Sequence, residues 1–140
     1  MTRLVLLVGF LFATAANAAP PTVLEAAFKA YGTGGAAGFV AALFKGSPVA
    51  PDVTAQVNGL EQIESYYGGF ESWEVLDECE LTDRVRNTFY VAYFDRGPVF
   101  GYVTTYRING ADEVMTSYQI HTEIAAVFPA GWVGGDVCED

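Results

Sequence analysis

The sequence predicts an α+β fold: three N-terminal helices packed on a curved antiparallel meander of four strands. Three observations predict it. Apolar residues recur with helical spacing up to Tyr67. From Phe70 the pattern changes to alternation. The stretch from Phe89 to Ile108, FYVAYFDRGPVFGYVTTYRI, holds two β-prone runs broken once at Asp95-Arg96-Gly97-Pro98.

The first residues read as a leader. Met1-Thr2-Arg3 is a short positive start, Leu4 to Ala13 is apolar but too short to span a bilayer, and Ala16-Asn17-Ala18 fits a small-x-small cleavage rule. The expected organisation is a signal peptide, 1–18, and a single α+β domain, 19–140, secreted or periplasmic. No later segment is apolar for long enough to be a transmembrane helix, so no membrane association is expected once the signal is removed.

The first helix starts at Thr22, with Glu25 completing a capping box. Leu24, Ala27, Phe28 and Tyr31 share one face, and Gly32 to Gly35 end it. A second helix is expected from Ala36 to Lys45, with Phe39, Val40, Leu43 and Phe44 on its apolar side and Gly46-Ser47-Pro48 as its stop. The glycine run between them lacks the Lys-Ser/Thr of a phosphate-binding loop and does not follow a strand. A third helix begins after Asp52, its expected cap, carries Val53, Val57, Leu60, Ile63 and Tyr67 in one stripe, and closes at Gly68-Gly69.

Four strands follow: Phe70 to Leu81, Arg84 to Phe94, Val99 to Ile108 and Val114 to Thr122. Pro98 has no N–H, so a two-residue turn at Arg96-Gly97 would lack its donor. A four-residue loop pairing Phe94 with Val99 is expected instead. One face then carries Tyr90, Ala92, Phe94, Val99, Gly101 and Val103, joined by Trp73, Val75, Cys79, Val114, Tyr118 and Ile120 through turns at Thr82-Asp83 and Asn109-Gly110. Gly101 is expected opposite Tyr118, leaving room for its ring. This almost wholly apolar face is assigned to the helices. The other face is mixed: Phe89, Val91, Tyr93, Phe100, Tyr102, Thr104 and Tyr106, with Met115, Ser117, Gln119 and His121 from the last strand. Ile124 to Phe128 is a further short apolar segment.

The full chain has a formal net charge of −10, which becomes −11 when Arg3 leaves with the signal. Such a surface argues against nucleic acid as a partner, because phosphate binding needs clustered Lys and Arg. The acidic run Glu71, Glu74, Asp77, Glu78, Glu80, Asp83 matches no calcium loop and reads as a solvated edge strand. Cys79 and Cys138, the two cysteines of an exported chain, are the expected disulfide. No metal site and no cofactor are expected.

The binding residues expected on the mixed face are Tyr93, Phe100, Tyr102, Tyr106, Ser117, Gln119 and His121. They could form a homodimer interface, where tyrosine is enriched, or the wall of a pocket for a small apolar ligand. His121, the single histidine, is the candidate general base of an alternative, catalytic reading, with Glu113, Glu123 or Asp77 as orienting groups. A Cys79–His121 nucleophile pair is disfavoured, because the expected registers put the two on opposite faces.

The run Gly69-Phe70, Trp73-Glu74-Val75, Arg84-Val85, Tyr90, Tyr93, Arg96-Gly97-Pro98, Phe100 and Tyr106, behind N-terminal helices and a Tyr-Gly-Gly-Phe junction (Tyr67 to Phe70), resembles the nuclear-transport-factor-two-like superfamily, the cystatin-like α+β cone. It is similar to small exported bacterial members without assigned activity, over roughly Ala36 to Thr122. The resemblance implies a helix-covered cone. It also implies either an isomerase, dehydratase or cyclase with a pocket reaching His121, or a non-catalytic binding or dimerisation module. Fold alone does not choose between them. The absence of a catalytic constellation favours the binding module.

Overall fold

A computed structural model describes residues 22–49, 51–109 and 112–128. The proposed signal peptide and Cys138 lie outside these residues. Two helices, α1 (Thr22–Leu43) and α2 (Val53–Tyr67), precede four strands: β1 (Phe70–Thr82), β2 (Val85–Phe94), β3 (Gly97–Ile108) and β4 (Asp112–His121). The strands form one antiparallel sheet in the order β1-β2-β3-β4.

The expectation of three N-terminal helices is corrected to two. The first two expected helices run together as α1, and only Gly35 (φ 58°, ψ −154°) leaves helical geometry. A positive φ of this kind is open to glycine at no steric cost, so the glycine run kinks the helix instead of ending it. Both halves face one core, Leu24, Ala27, Phe28 and Tyr31 before the kink and Ala36, Phe39, Val40 and Leu43 after it, and shared burial outweighs the poor helix propensity of glycine.

In α2 the Asp52 side chain accepts from the Ala55 N–H at 3.1 Å, as expected of a cap. Tyr31 donates to Glu64 at 2.8 Å and ties the helices together; burial, then the neighbouring carboxylate, pushes its phenol up. Gly68 (φ 86°) closes α2. There the Asp95 carboxylate accepts from the Gly69 N–H at 2.7 Å, and the Arg96 N–H reaches Tyr67 O at 2.8 Å. The helix exit is thereby joined to the β2–β3 turn.

That turn is shorter than expected. Phe94 pairs with Gly97, not Val99, across Asp95-Arg96. The closing pair of a two-residue hairpin is hydrogen-bonded, so Pro98, next along and opposite Tyr93, turns its nitrogen away from β2. On the outer side the first pairing with β4 is at Phe100, so the missing donor is never called for. The discrepancy is two residues, an even number, and the faces of β2 and β3 keep their expected identity.

Bulges change the faces on the outer strands. An irregularity between Val75 and Asp77 leaves Trp73 and Val75 on the helix side but places Cys79 opposite Asn87, on the other face. A second, opposite Thr104 and Thr105, puts Met115 inward and Val114 opposite Tyr106. Met115 and Val114 thus exchange the faces expected of them. Beyond that bulge Tyr118 and Ile120 face the core as expected. Gly101 opposes Ile120 rather than Tyr118, and the ring filling the space above it is that of Tyr90.

Candidate functional site

The two faces of the sheet differ in how their aromatic rings are used. On the helix side the rings pack on one another. Phe28 lies 4.6 Å from Trp73, 5.0 Å from Phe39 and 5.2 Å from Tyr90, and Tyr31 lies 4.6 Å from Phe70. The space enclosed by Phe28, Tyr31, Phe39, Leu60, Tyr90, Ala92, Phe94, Val99 and Ile120 is about 10 Å³, room for one water and not for a ligand. A groove of about 320 Å³ lies at the rim between α2 and β4, lined by Gln56, Gly59, Leu60, Ile63, Tyr118, Gln119 and Ile120. Tyr118 donates to Gln56 across it.

The registers bring Tyr93, Phe100, Tyr102, Tyr106, Ser117, Gln119 and His121 onto the opposite face. The rings of Tyr93, Phe100, Tyr102 and Tyr106 are partly exposed, and Ser117 is exposed. Tyr93 donates to Glu74, and this bond to a carboxylate raises its pKa. The Arg84 guanidinium sits 4.7 Å from the centroid of Tyr106. Phe100 and Tyr102 pack against a second apolar cluster of Cys79, Phe89, Val127 and Phe128.

Val127 and Phe128 belong to the segment after β4. A short 3-10 helix (Ile124–Ala126) turns the chain back over the sheet, so that the Phe128 ring lies 4.9 Å from that of Phe89, tilted by 31°, and Gln119 Nε2 donates to Ala126 O at 3.0 Å. The expected mixed face is therefore partly covered by the chain itself. The sequence signal for this cover was the apolar run Ile124 to Phe128, whose destination could not be read from spacing.

His121 is half-buried near the end of β4. Its Nδ1 accepts from the Glu123 N–H at 2.9 Å, which leaves Nε2 as the protonated nitrogen of the neutral ring. Among the described residues no carboxylate forms an ion pair with it, and the grooves described above are not lined by it. Cys79 and His121 stand on the same face, contrary to expectation, because of the bulge before Asp77. Cys79 is not a free thiol. Among the described residues no group of three or more His, Cys, Asp or Glu side chains could hold a metal ion.

Sequence reading missed one ionic cluster. At the end of the helix-side face nearest the β1–β2 and β3–β4 turns, Arg86 lies 3.6 Å from Glu78, 3.1 Å from Glu80 and 3.8 Å from Glu113, and Arg107 reaches Glu113 at 3.3 Å. Burial holds the Glu78 carboxyl above its ordinary value, against the opposing pull of Arg86 and of the Thr88 hydroxyl. Glu78 thus belongs to an inward cluster, not to the solvated acidic edge.

Comparison with known proteins yields little. No family model matches this chain, and no curated protein matches it. A crystal structure of a DUF4783 family protein from Bacteroides uniformis ATCC 8492 is similar at 12% identity, with a TM-score of 0.47, over 72% of this chain and 97% of that one. No link to the nuclear-transport-factor-two-like superfamily emerges from these comparisons.

Proposed function

We propose that this chain is an exported, non-catalytic binding module that self-associates through the β3–β4 half of its aromatic sheet face. The observation that supports this reading is the contrast between the two sets of rings. Those on the helix side leave only about 10 Å³ between Phe28, Tyr31, Phe39, Tyr90 and their neighbours. Those on the β3–β4 half of the other face, Tyr102 and Tyr106, keep exposed surface beside the polar Ser117 and Gln119. Aromatic bodies with polar tips suit an interface core, and a second copy of the same surface offers matching chemistry. The catalytic reading requires a cavity reaching His121 and a carboxylate on its ring; no observation favours it.

The test is the oligomeric state of residues 19–140. Sedimentation equilibrium should show a concentration-dependent dimer that Tyr106→Glu abolishes while leaving the far-ultraviolet circular dichroism unchanged. A strict monomer at high protein concentration would overturn the reading. A monomer that takes up a small apolar probe on this face would replace it with a ligand-binding one.

A further inference from the structure

We infer that the groove between α2 and β4 binds an extended, basic peptide, which adds to the open edge of β4 as a further strand. The surface is the edge of the sheet beside α2, not its aromatic face, so the inference does not depend on the proposed self-association.

The backbone of β4 supplies the first argument. β4 is an edge strand, with β3 on one side and no strand on the other. The Phe94–Gly97 pair closes the β2–β3 hairpin and is hydrogen-bonded, so alternation along β3 turns the backbone of Tyr102 toward Gln119 of β4. The Gln119 carbonyl accordingly points at β3, 2.8 Å from where a Gly101 Cβ would stand. Tyr118 and Ile120, on either side of it, direct their N–H and C=O outward. An earlier outward carbonyl, that of Met115, is taken by the Ser47 hydroxyl at 2.6 Å. Those of Tyr118 and Ile120 find no backbone partner among the described residues. The opposite edge, β1, is guarded by three register shifts and by exposed Glu71, Glu74 and Glu80. From Ser117 to His121, β4 runs without a shift and holds no proline or lysine.

The groove and its charge define the occupant. Tyr118 and Ile120 line it themselves, facing Leu60 and Ile63 of α2 across about 320 Å³. Residues opposite one another in an antiparallel pair project to the same face. The residues of an added strand opposite Tyr118 and Ile120 therefore point into the groove, where Leu60 and Ile63 call for apolar side chains. The residue between them points to the side of Ser117 and Gln119 and calls for a polar one. Neither α2 nor β4 contains a lysine or arginine. Asp52, Glu61 and Glu64 along α2 and Glu123 after β4 form no ion pair among the described residues. In a chain of net charge −10, such walls favour basic side chains flanking the paired segment.

The experiment uses the 19–140 protein and a fluorescein-labelled peptide of about six alternating valines and threonines flanked by lysines. Fluorescence anisotropy should show saturable binding, about tenfold weaker when glutamates replace the lysines. N-methylation of alternate peptide residues should abolish binding for one set and spare it for the other, because only one set turns its N–H to β4. Gly59 is exposed on the α2 wall, and nothing lies within 4 Å of a Cβ placed there. Gly59→Arg should therefore fold as the parent does, by far-ultraviolet circular dichroism, yet lose the peptide, while Gly59→Ala keeps it. Absence of saturable binding, equal tolerance of both methylation patterns, or full binding by Gly59→Arg would each overturn the inference. If no peptide binds and Gly59→Arg disperses a dimer of the protein alone, the edge belongs to a second copy and the peptide is overturned. Peptide binding by a protein that stays a strict monomer would count against the proposed function alone.

Discussion

The ring of Tyr90 occupies the space that a side chain at Gly101 would need. A Cβ there would overlap the Tyr90 ring and hydroxyl and stand 2.8 Å from Gln119 O. The Tyr90 hydroxyl is also buried with no hydrogen-bond partner among the described residues, and burial raises its pKa. Two opposite outcomes follow from one contact. Gly101→Ala should destabilise by about 2 kcal/mol through overpacking. Tyr90→Phe should be neutral or stabilising, because it removes an unsatisfied polar group and keeps the ring. Urea unfolding of both variants checks this; a large loss in Tyr90→Phe would mean that the hydroxyl has a partner.

The junction of α2 with the β2–β3 turn should behave as a coupled unit. Gly68 has φ 86°, and a Cβ there would lie 2.6 Å from that of Asp95. Gly68→Ala should cost about 3 kcal/mol, from strain and overlap together. Asp95→Ala should cost about 1 kcal/mol through the lost bond to the Gly69 N–H. The double variant should lose less than the two single losses added, since removing the Asp95 carboxylate relieves the overlap with its Oδ2 and Cγ and leaves only that with its Cβ. Strict additivity in a double-mutant cycle would refute the contact.

What was legible in the sequence, and what was not, divides at the bulges. The faces of Tyr90, Ala92, Phe94, Val99 and Val103 were readable because alternation is local and survives a two-residue error in turn length. The bulges were not readable, because an extra residue is decided by what its partner strand presents. Cys79, Val114 and Met115 all lie between a bulge and a turn, and each took the face opposite to its expected one. The same limit hid the pairing of Glu78 with Arg86. The helix count failed for a different reason: a glycine run signals a break, but shared burial of Tyr31 and Ala36 decided that the helix continues. Of the candidate site, the residues on one face were foreseen, while the returning Phe128 was not, since its contact is long-range.

Alkaline conditions should unfold the protein through its tyrosines. Burial raises the pKa of Tyr31, Tyr90 and Tyr118, so the folded state holds protons that the unfolded chain releases near about 10. The stability tied to these neutral phenols is complete below that value and is lost as pH rises above it. Denaturant midpoints should therefore fall steeply past about 10, and absorbance titration should show tyrosinate appearing together with unfolding. Tyr31→Phe should lose about 1 kcal/mol near neutrality, from the missing bond to Glu64, yet show a shallower alkaline fall. Equal slopes in the parent and the variant would remove Tyr31 from this account.

Arg86 should matter most when the carboxylates around it are charged. It is largely buried between Glu78 and Glu113, and removing it leaves two mostly buried carboxylates without that cation. Arg86→Ala should cost about 3 kcal/mol near neutrality. The sign of its pH dependence follows from Glu78, whose folded pKa is raised chiefly by burial. Stability tied to the protonated carboxyl is complete below the unfolded pKa and is lost as pH rises through the folded one. Arg86 pulls that folded value down, so its removal raises it further and moves the falling limb to higher pH. The loss in Arg86→Ala should therefore shrink on acidification, as Glu78 takes up its proton and no longer needs a cation. Urea unfolding of both proteins across the acid range measures the difference. A loss independent of pH would assign the contribution of Arg86 to the packing of its alkyl stem and not to its charge.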